Sequence, residues 1–440
     1  MSPVRALVFA SLAAVAGTTG AAAAESTDAQ LDALTTQELP RVIAWRRDLH
    51  EHPELGNRET RTAKLVADHL QRLGLEVHTG VAHTGVVALL KGGRPGPTVA
   101  VRADMDALPV TEKTDVPFRS HVTTTYRGET VGVMHACGHD SHTAMLMGLA
   151  EELTRVRAEL PGSVLFIFQP AEEGSPEGEE GGAALMLKEG LFEKYRPQAV
   201  FGMHVWSALR VGELGYRAGP LMAAVDSFKI HVHGRQSHGS RPWQSIDPVV
   251  TSAQIVNALQ TVVSRDLDIT QAPAVVSVGA IKGGIRYNII PAEVEMLGTI
   301  RTFTAGQRQT VLDSLRRIVE HTAAANGATA ELVLTEHYPV TYNDPKLTAQ
   351  ILPSLEAVAG PGHVKQMDMI TASEDFSMFA QAVPGVFFFV GVTPQDQDPA
   401  TAPANHSDYF YLDERGIPVG MRAMAHVVVD YLNGAGRHGK

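Results

Sequence analysis

Short apolar runs that alternate with helical patterns constrain the fold of this chain more than any other sequence feature. Four such runs, at residues 98–101, 164–168, 199–203 and 386–390, have the composition of buried strands. Helical patterns, such as that of residues 142–156, lie among them. The alternation predicts an α/β domain with a mixed, largely parallel sheet and helices on both faces.

The alternation is interrupted between about residues 218 and 338. The order there becomes strand, helix, two strands, helix and strand, which is the order of a ferredoxin-like α+β unit. We therefore predict a larger domain formed by segments 25–217 and 339–440, with a second domain inserted at 218–338. The length of 440 residues also favours two domains.

Residues 1–24 have the pattern of a cleavable signal peptide. Arg5 precedes a short apolar stretch and a run of small residues at 21–24, so cleavage is expected near Ala24. The apolar stretch is shorter than the roughly 20 residues that span a bilayer, which argues against the alternative of a membrane anchor. We predict an exported protein, periplasmic or secreted, with no membrane attachment after cleavage.

The charge composition argues against nucleic acid as a partner. The 37 Lys and Arg against 48 Asp and Glu give a formal net charge of −11. This excess opposes attraction to phosphate backbones or anionic membranes, so a small-molecule substrate is the better hypothesis. The only cysteine, Cys137, cannot form an intramolecular disulfide.

Side chains that can bind metal follow the predicted strands. Asp104 and Asp106 follow the first apolar run, Glu172 and Glu173 follow the second, and His204 follows the third. In open α/β sheets, ligands bind beyond the carboxyl ends of the strands. We therefore expect these side chains to lie close together.

Cys137 and His139 lie two positions apart, so their side chains share one side of an extended backbone. A thiolate and an imidazole together suit zinc. Gly138 between them permits an unusual backbone conformation. A lone cysteine is more often a small buried hydrophobic residue, and the neighbouring histidine is what favours a metal site here.

Glu172 and Glu173 can serve different purposes although they are adjacent. Neighbouring side chains point to opposite sides of an extended backbone, so one carboxylate can face metal and the other a bound water. A metal ion lowers the pKa of water and polarises a carbonyl group, while a free carboxylate carries the proton to the leaving amine. The pair predicts metal-assisted hydrolysis. Glu177, Glu179 and Glu180 fit a solvated acidic edge instead.

At these residues the sequence resembles the aminoacylase and carboxypeptidase family of dinuclear metallopeptidases. The similar branch contains hippurate hydrolase, indole-acetyl amino acid hydrolase and N-acyl amino acid amidohydrolase. The resemblance runs almost end to end and rests on RRDLHEHPELG at 46–56, RADMDALPV at 102–110, MHACGHDSHTAM at 134–145, FQPAEEG at 168–174, SEDF at 373–376 and NHSDYF at 405–410. Each motif is weak alone, but together they are specific.

The resemblance implies a site for two metal ions in the larger domain, which makes that domain the catalytic one. The implied metal ligands are Cys137, His139, Glu173, His204 and His406. Glu172 is implied to be the general base and acid. Asp106 is implied to hold a ligand or the base in place, and Asp104 lies where other branches have a histidine ligand. His406 follows from the resemblance alone.

The resemblance also implies a role for the inserted domain as a lid. His238 and Asn288 match positions that contact the substrate or its developing oxyanion when the lid closes. In some relatives this histidine comes from the partner subunit. A homodimer formed through the lid domain is expected from the family habit and from the exposed edge of the lid sheet. Two positions depart from the branch: Ser141, which replaces a usual glycine and suits a helix N-cap, and the loop GSPEGEEGG after Glu173.

We predict a metallo-amidohydrolase that cleaves the amide bond of N-acyl amino acids, including N-aromatic-acyl ones, or of short peptides. Two divalent ions per subunit are expected, with zinc or manganese preferred and nickel or cobalt also compatible with the ligands. One alternative is a non-catalytic small-molecule binding protein on the same fold, but intact Glu172 beside intact ligands argues against it. Another is a cysteine hydrolase with Cys137 as nucleophile, which would survive chelation and would leave Glu173, His204 and His406 without a function.

Overall fold

The computed structural model of this chain describes residues 27–435. The predicted signal peptide, residues 1–24, lies outside the described residues. Across residues 27–435, no helix combines the length and the apolar character needed to cross a membrane.

The described part of the chain contains helices and strands throughout its length. The α-helices are α1 (Thr27–Glu51), α2 (Thr60–Arg72), α3 (His139–Arg155), α4 (Gly182–Lys188), α5 (Leu191–Tyr195), α6 (Pro248–Thr261), α7 (Ala305–Ala325), α8 (Pro345–Ala359), α9 (Phe376–Ala382) and α10 (Ile417–Ala435). The strands of the first half are β1 (Glu76–Val81), β2 (Gly85–Lys91), β3 (Arg94–Asp104), β4 (Thr123–Tyr126), β5 (Glu129–Gly132), β6 (Pro161–Gln169), β7 (Ala199–Arg210), β8 (Leu214–Tyr216) and β9 (Gly219–Met222). The remaining strands are β10 (Ala224–His233), β11 (Ser237–His238), β12 (Val275–Lys282), β13 (Ile289–Ile290), β14 (Glu293–Thr302), β15 (Thr329–Tyr338), β16 (Thr341–Asn343), β17 (Val364–Gln366) and β18 (Gly385–Thr393).

The large sheet has eight strands in the order β1-β2-β6-β3-β7-β18-β8-β17. Its central strands β6, β3, β7 and β18 are parallel to their neighbours in this group. Antiparallel pairs flank them, between β2 and β6 and between β18 and β8. The four predicted apolar runs lie in these four central strands, and the predicted mixed, largely parallel α/β class is confirmed.

The central strands are buried on both faces because helices cover each side of the sheet. In β18, Phe388 belongs to a core that includes residues of α1, α2, α3, α8 and α10. Its neighbours Phe387 and Phe389 belong to a second core with residues of α4, α5 and α9. Alternate side chains of one strand thus enter different cores, as the two-residue period of a strand requires.

A second sheet of four strands has the order β12-β14-β10-β15 and is antiparallel throughout. Helices α6 and α7 pack on it around a separate core that contains Phe228, Ile255 and Leu315. Along the chain its main elements are β10, α6, β12, β14, α7 and β15, the order expected for the interrupted stretch. This sheet with α6 and α7 is called the four-stranded unit below. The exact domain boundaries, 218 and 338, stay a prediction.

One local prediction is wrong. Ser141 was expected to cap the N-terminus of the helix, but α3 begins earlier, at His139, and Gly138 occupies the N-cap position. Ser141 lies inside the first turn, where its hydroxyl donates to the Gly138 carbonyl oxygen at 2.5 Å. The helix begins earlier because Gly138 can adopt a left-handed conformation at its start.

Candidate metal centre

The candidate site lies beyond the carboxyl ends of β3 and β6. Asp104 is the last residue of β3, and Glu172 follows β6 by three positions. His139 is the first residue of α3. His204 lies inside β7, because this strand continues past the predicted end at residue 203 to Arg210.

The five side chains expected to bind metal lie together. Cys137 Sγ is 3.3 Å from His204 Nε2 and 3.2 Å from His406 Nε2. Glu173 Oε1 is 3.0 Å from His406 Nε2 and 4.0 Å from His139 Nε2. They form two overlapping groups that share Cys137, one with His139 and His204 and one with Glu173 and His406, and the donor atoms within each group lie within 4.8 Å of one another.

The backbone beside Cys137 requires glycine. Gly138 has φ of 92°, and a Cβ at this position would lie 2.3 Å from Cγ2 of Val205. Such a contact is impossible unless the side chain of Val205, next to His204 in β7, shifts. Gly138 therefore allows the turn between Cys137 and α3 to approach the strand that supplies another member of the cluster.

His406 is held by contacts to the Cys137 segment, although it is distant in sequence. Its main-chain N–H donates to the Ala136 carbonyl at 2.8 Å, and its own φ is 73°, in the left-handed region. The preceding Asn405 donates from Nδ2 to the carbonyls of Cys137 and Val205 at 3.2 and 3.1 Å. Asn405 thus joins three chain segments at the site.

Hydrogen bonds fix two buried imidazoles near the site, His204 with one ring nitrogen directed at Cys137 and His142 with both ring nitrogens engaged elsewhere. His204 Nδ1 is 2.6 Å from the Val205 carbonyl, which makes Nδ1 the donor and leaves Nε2 facing Cys137. His142 Nδ1 lies 2.6 Å from Asp104 Oδ1, and its Nε2 accepts from the Val205 N–H at 2.9 Å. Both ring nitrogens of His142 are engaged in these hydrogen bonds, so neither is free to bind a metal ion. Although His142 lies close to His139, its role is to support the site.

The carboxylate of Asp106 contacts the turn after β6 and the first residue of α3. It accepts hydrogen bonds from the N–H groups of Glu172 and Glu173 at 3.0 and 2.9 Å. Its Oδ1 also lies 3.3 Å from His139 Nδ1. A carboxylate at this nitrogen fixes the orientation of the ring and directs Nε2 toward the cluster.

A buried arginine behind the cluster was missed by the sequence analysis. Arg102 is wholly buried and donates to Gln169 at 2.7 Å, to Asp104 at 2.7 Å, to Glu374 at 2.8 Å and to Asp375 at 2.9 Å. Arg102 and the two acids belong to motifs used for the resemblance, but local pattern could not show that residues 272 and 273 positions apart meet.

The site carries an excess of buried negative charge. Burial, with the carboxylates of Glu173 and Glu172, raises the pKa of the Cys137 thiol well above its usual range. Burial, with Glu374 and Glu173, likewise raises the pKa of Glu172. Divalent cations would offset this charge, and the thiol, imidazole and carboxylate donors suit them. The residues present therefore fit a two-metal site.

His238 and Asn288 lie elsewhere: His238 is in β11, which pairs with β13, and Asn288 directly precedes β13. His238 is exposed and pairs with Ile289, and its Nδ1 accepts from the Ser240 hydroxyl at 2.7 Å. The Gly239 N–H donates to the Asn288 carbonyl at 2.8 Å. Within residues 27–435, no recorded hydrogen bond or ion pair joins either side chain to the metal cluster.

Comparison with known proteins gives consistent matches over most of the chain. The sequence profile of peptidase family M20/M25/M40 matches residues 100–430. The chain is 42% identical over 394 residues to thermostable carboxypeptidase 2 of Saccharolobus solfataricus, which covers 89% of this chain and 95% of that one. It is 39% identical over 394 residues to N-acetylcysteine deacetylase of Bacillus subtilis, with 89% and 97% covered.

A solved structure is also similar. The Bacillus subtilis YXEP protein, described as a dinuclear metal-binding peptidase from the M20 family, superposes with a TM-score of 0.75 at 36% sequence identity. The match covers 90% of this chain and 99% of that one.

Proposed function

Because this chain belongs to peptidase family M20/M25/M40, we propose that it hydrolyses the amide bond of N-acyl amino acids or short peptides with the help of two divalent ions. The similar proteins described above include a carboxypeptidase and a deacetylase of an acylated amino acid. Both names describe cleavage of an amide bond next to an amino acid. The observation that carries the proposal is the position of Glu172 beside the five-residue cluster.

The proposed ligands are the five side chains that converge around the shared thiol. They are Cys137, His139, Glu173, His204 and His406. When bound, divalent ions lower the pKa of water and polarise the substrate carbonyl. Zinc or manganese are the proposed ions, because mixed thiolate, imidazole and carboxylate donors accept either.

Glu172 is the proposed general base and acid. Its carboxylate belongs to a group with His139 and Glu173, yet it is not part of either group that shares Cys137. The main-chain N–H of Asp375 donates a long hydrogen bond, of 3.4 Å, to Oε1 of Glu172. In the proposed reaction Glu172 takes one proton from the attacking water and delivers it to the nitrogen of the leaving amine.

Asp106 and the four-stranded unit have proposed supporting roles. Asp106 would keep His139 and the main chain of Glu172 in place through the contacts described above. His238 and Asn288 would contact the substrate or its oxyanion when the four-stranded unit closes as a lid. Within residues 27–435, His238 is exposed and has no hydrogen bond or ion pair to the cluster. Closure of the unit, or the corresponding histidine of a partner subunit, would have to bring this side chain to the substrate.

A homodimer is proposed, because a partner subunit could supply His238 and because one edge of the four-stranded sheet is exposed. The β12 strand forms one edge of the four-stranded sheet. Ile281 on this strand is 55% exposed, and Ile285 just beyond it is 97% exposed. Apolar side chains this exposed mark a surface that a partner can cover. Light scattering would give twice the mass of one chain if a second copy binds there.

Export to the periplasm or the medium is proposed from the sequence pattern of residues 1–24. Fractionation of cells that express the full chain, followed by N-terminal sequencing, would detect cleavage near Ala24. A full-length chain retained in the cytoplasm would contradict this proposal.

The function is tested with a panel of hippurate, N-acetyl and long-chain N-acyl amino acids, and dipeptides. The mature protein is assayed for amine release with zinc, manganese or EDTA. Metal-dependent cleavage would support the proposed reaction and rank the acyl groups. Bound metal with no cleavage of any substrate would instead favour the binding-protein alternative, and cleavage that survives EDTA would favour a cysteine nucleophile.

The role of Glu172 is tested by Glu172→Gln. The amide cannot take a proton from water, so kcat should fall by at least about a thousandfold while two ions remain bound. Metal content is measured by plasma mass spectrometry on the same samples. The control is Glu177→Gln, a change at an exposed carboxylate five positions away, which should keep wild-type turnover. Normal turnover in Glu172→Gln would exclude the proposed role.

A further inference from the structure

The turn that carries Glu172 is held by side chains from distant parts of the chain. The Ala171 N–H donates to Glu59 at 2.8 Å, and the next two N–H groups donate to Asp106. Ala171 has φ of 52°, which is uncommon for a residue with a side chain. These contacts therefore keep the turn in a conformation that its own backbone does not favour.

The carbonyl group of Glu172 has a different kind of partner. The Tyr338 hydroxyl donates to it at 3.1 Å, across 166 positions of sequence. Tyr338 is the last residue of β15, and it pairs with Val225 near the start of β10. The side chains that hold the N–H groups of the turn belong to the larger domain, whereas Tyr338 belongs to the four-stranded unit.

From this contact we propose that Tyr338 is a positioning residue that couples the four-stranded unit to the catalytic base. Its hydroxyl fixes the main chain of Glu172, and a change in the orientation of the unit moves that anchor. The inference rests on the proposed function of Glu172 and adds a residue to it. Tyr338 touches no reacting atom and acts through Glu172.

The anchoring of the adjacent connections places the pivot close to Tyr338. On one side, the Ala223 N–H donates to the Ile370 carbonyl at 3.0 Å, directly before β10. On the other side, Asn343 donates to the Phe387 carbonyl at 2.8 Å and accepts from its N–H at 2.7 Å. Both connections are thus tied to the larger domain within a few residues of the strands of the four-stranded unit. If the unit rotates, the backbone must bend at the few residues between these anchored connections and the strands of the unit, and Tyr338 lies at this point.

The hydroxyl is suited to act as a permanent donor. Tyr338 is largely buried, and burial together with the nearby carboxylates of Asp375 and Glu172 raises its pKa. A raised pKa favours the protonated hydroxyl, which is the form that donates this hydrogen bond. The contact is broken by movement of the strand and not by ionisation.

The test is Tyr338→Phe, which removes only the hydroxyl. A lost hydrogen bond to a buried carbonyl of this kind should lower kcat about three- to tenfold, while KM and the content of two ions stay unchanged. Hydrogen–deuterium exchange of the amides at 171–174 should become faster by a similar factor. The exchange measurement uses the substrate-free protein, so it reports on the turn even if no substrate is found.

Tyr342→Phe is the matched control. Tyr342 lies four positions away in β16 and is 44% exposed. Within the described residues its hydroxyl has no recorded hydrogen bond, so kcat and exchange should remain those of the wild type. An unchanged kcat or an unchanged exchange rate in Tyr338→Phe would overturn the inference, as would loss of bound metal. Faster exchange in a protein that cleaves nothing would refute the proposed function while the coupling stands.

Discussion

Asp106 connects two parts of the metal centre through one carboxylate. It fixes the turn of Glu172 and Glu173 by two hydrogen bonds and lies against Nδ1 of His139. An acceptor is needed at both oxygens, because both face N–H groups. Asparagine has the same size but offers a donor at one of these positions.

Asp106→Asn should therefore weaken metal binding without unfolding the protein. Replacement of a group that orients a ligand typically costs about 10- to 100-fold in metal affinity or activity. Competition with a chromogenic chelator measures the affinity, and the assay at saturating zinc gives kcat. Asp115→Asn, at an exposed position near in sequence, is the control. Unchanged affinity and unchanged kcat in Asp106→Asn would show that the carboxylate has no orienting role.

Spacing alone predicted part of the cluster. Cys137 and His139 stand two positions apart, and Glu173 and His204 follow apolar runs of the sequence, so local pattern was enough to select them. His406 needed the resemblance because nothing in its loop distinguishes it from an exposed histidine. Tyr338 was not selected at all, since its partner lies 166 positions away. Contacts of this kind arise from the topology and leave no local signal.

Helix α3 illustrates what sequence can and cannot give for an element. Its apolar pattern predicted a helix over 142–156, and the structure has it at His139–Arg155. The start was misplaced because glycine in a left-handed conformation can replace a side-chain cap. Nor did the pattern show that Glu152, on the same helix, is completely buried.

The buried Glu152 predicts a pH dependence of stability. Burial, with a smaller contribution from the charge of Glu38, raises its pKa from 4.5 to about 8. Below pH 4.5 the carboxyl is protonated in both states and carries no penalty. Between the two values the unfolded chain has lost the proton that the folded chain keeps, so this group lowers the free energy of unfolding by about 1.4 kcal/mol per pH unit as pH rises.

Glu152→Gln should remove that dependence. The variant should gain stability relative to the wild type as pH rises from 5 to 8, with a difference of a few kcal/mol at the upper end by the linkage relation. Urea unfolding at each pH measures it. Glu320→Gln, at an exposed position on α7, should show no such trend. A pH-independent difference between Glu152→Gln and the wild type would contradict the proposed burial effect.

For the whole molecule, the resemblance, the α/β class, the hydrolase class and the use of two metal ions are confirmed by the fold and the comparisons. They were predictable because several independent features of the sequence, the apolar runs and the six motifs, indicate the same fold and the same family. Export, the homodimer and the roles of single residues stay predictions. The relation between the four-stranded unit and the larger domain was not predictable, since it depends on contacts such as that of Tyr338.

Chelation should affect the whole molecule. A ligand at a thousand times its Kd stabilises a folded protein by about 4 kcal/mol, so EDTA should lower Tm by several degrees and abolish hydrolysis. Added zinc or manganese should restore both, and titration should reach two ions per subunit. His231→Ala is the control for surface binding, because His231 stacks on His233 away from the cluster. A Tm insensitive to EDTA, in protein shown to have lost its ions, would contradict a structural contribution of the metal.

The spread of the cluster along the chain has a further consequence. Cys137 and His406 meet across 269 positions, so ions bound by both side chains would cross-link a very long loop. In the unfolded chain, binding an ion at both residues would require closure of this loop, which has an entropic cost. In the folded chain the two residues are already together, so binding has no such cost. The ions therefore distinguish strongly between the folded and unfolded chain. The only cysteine of this chain cannot form an internal disulfide, so bound metal would supply the long-range cross-link that disulfides supply in other proteins.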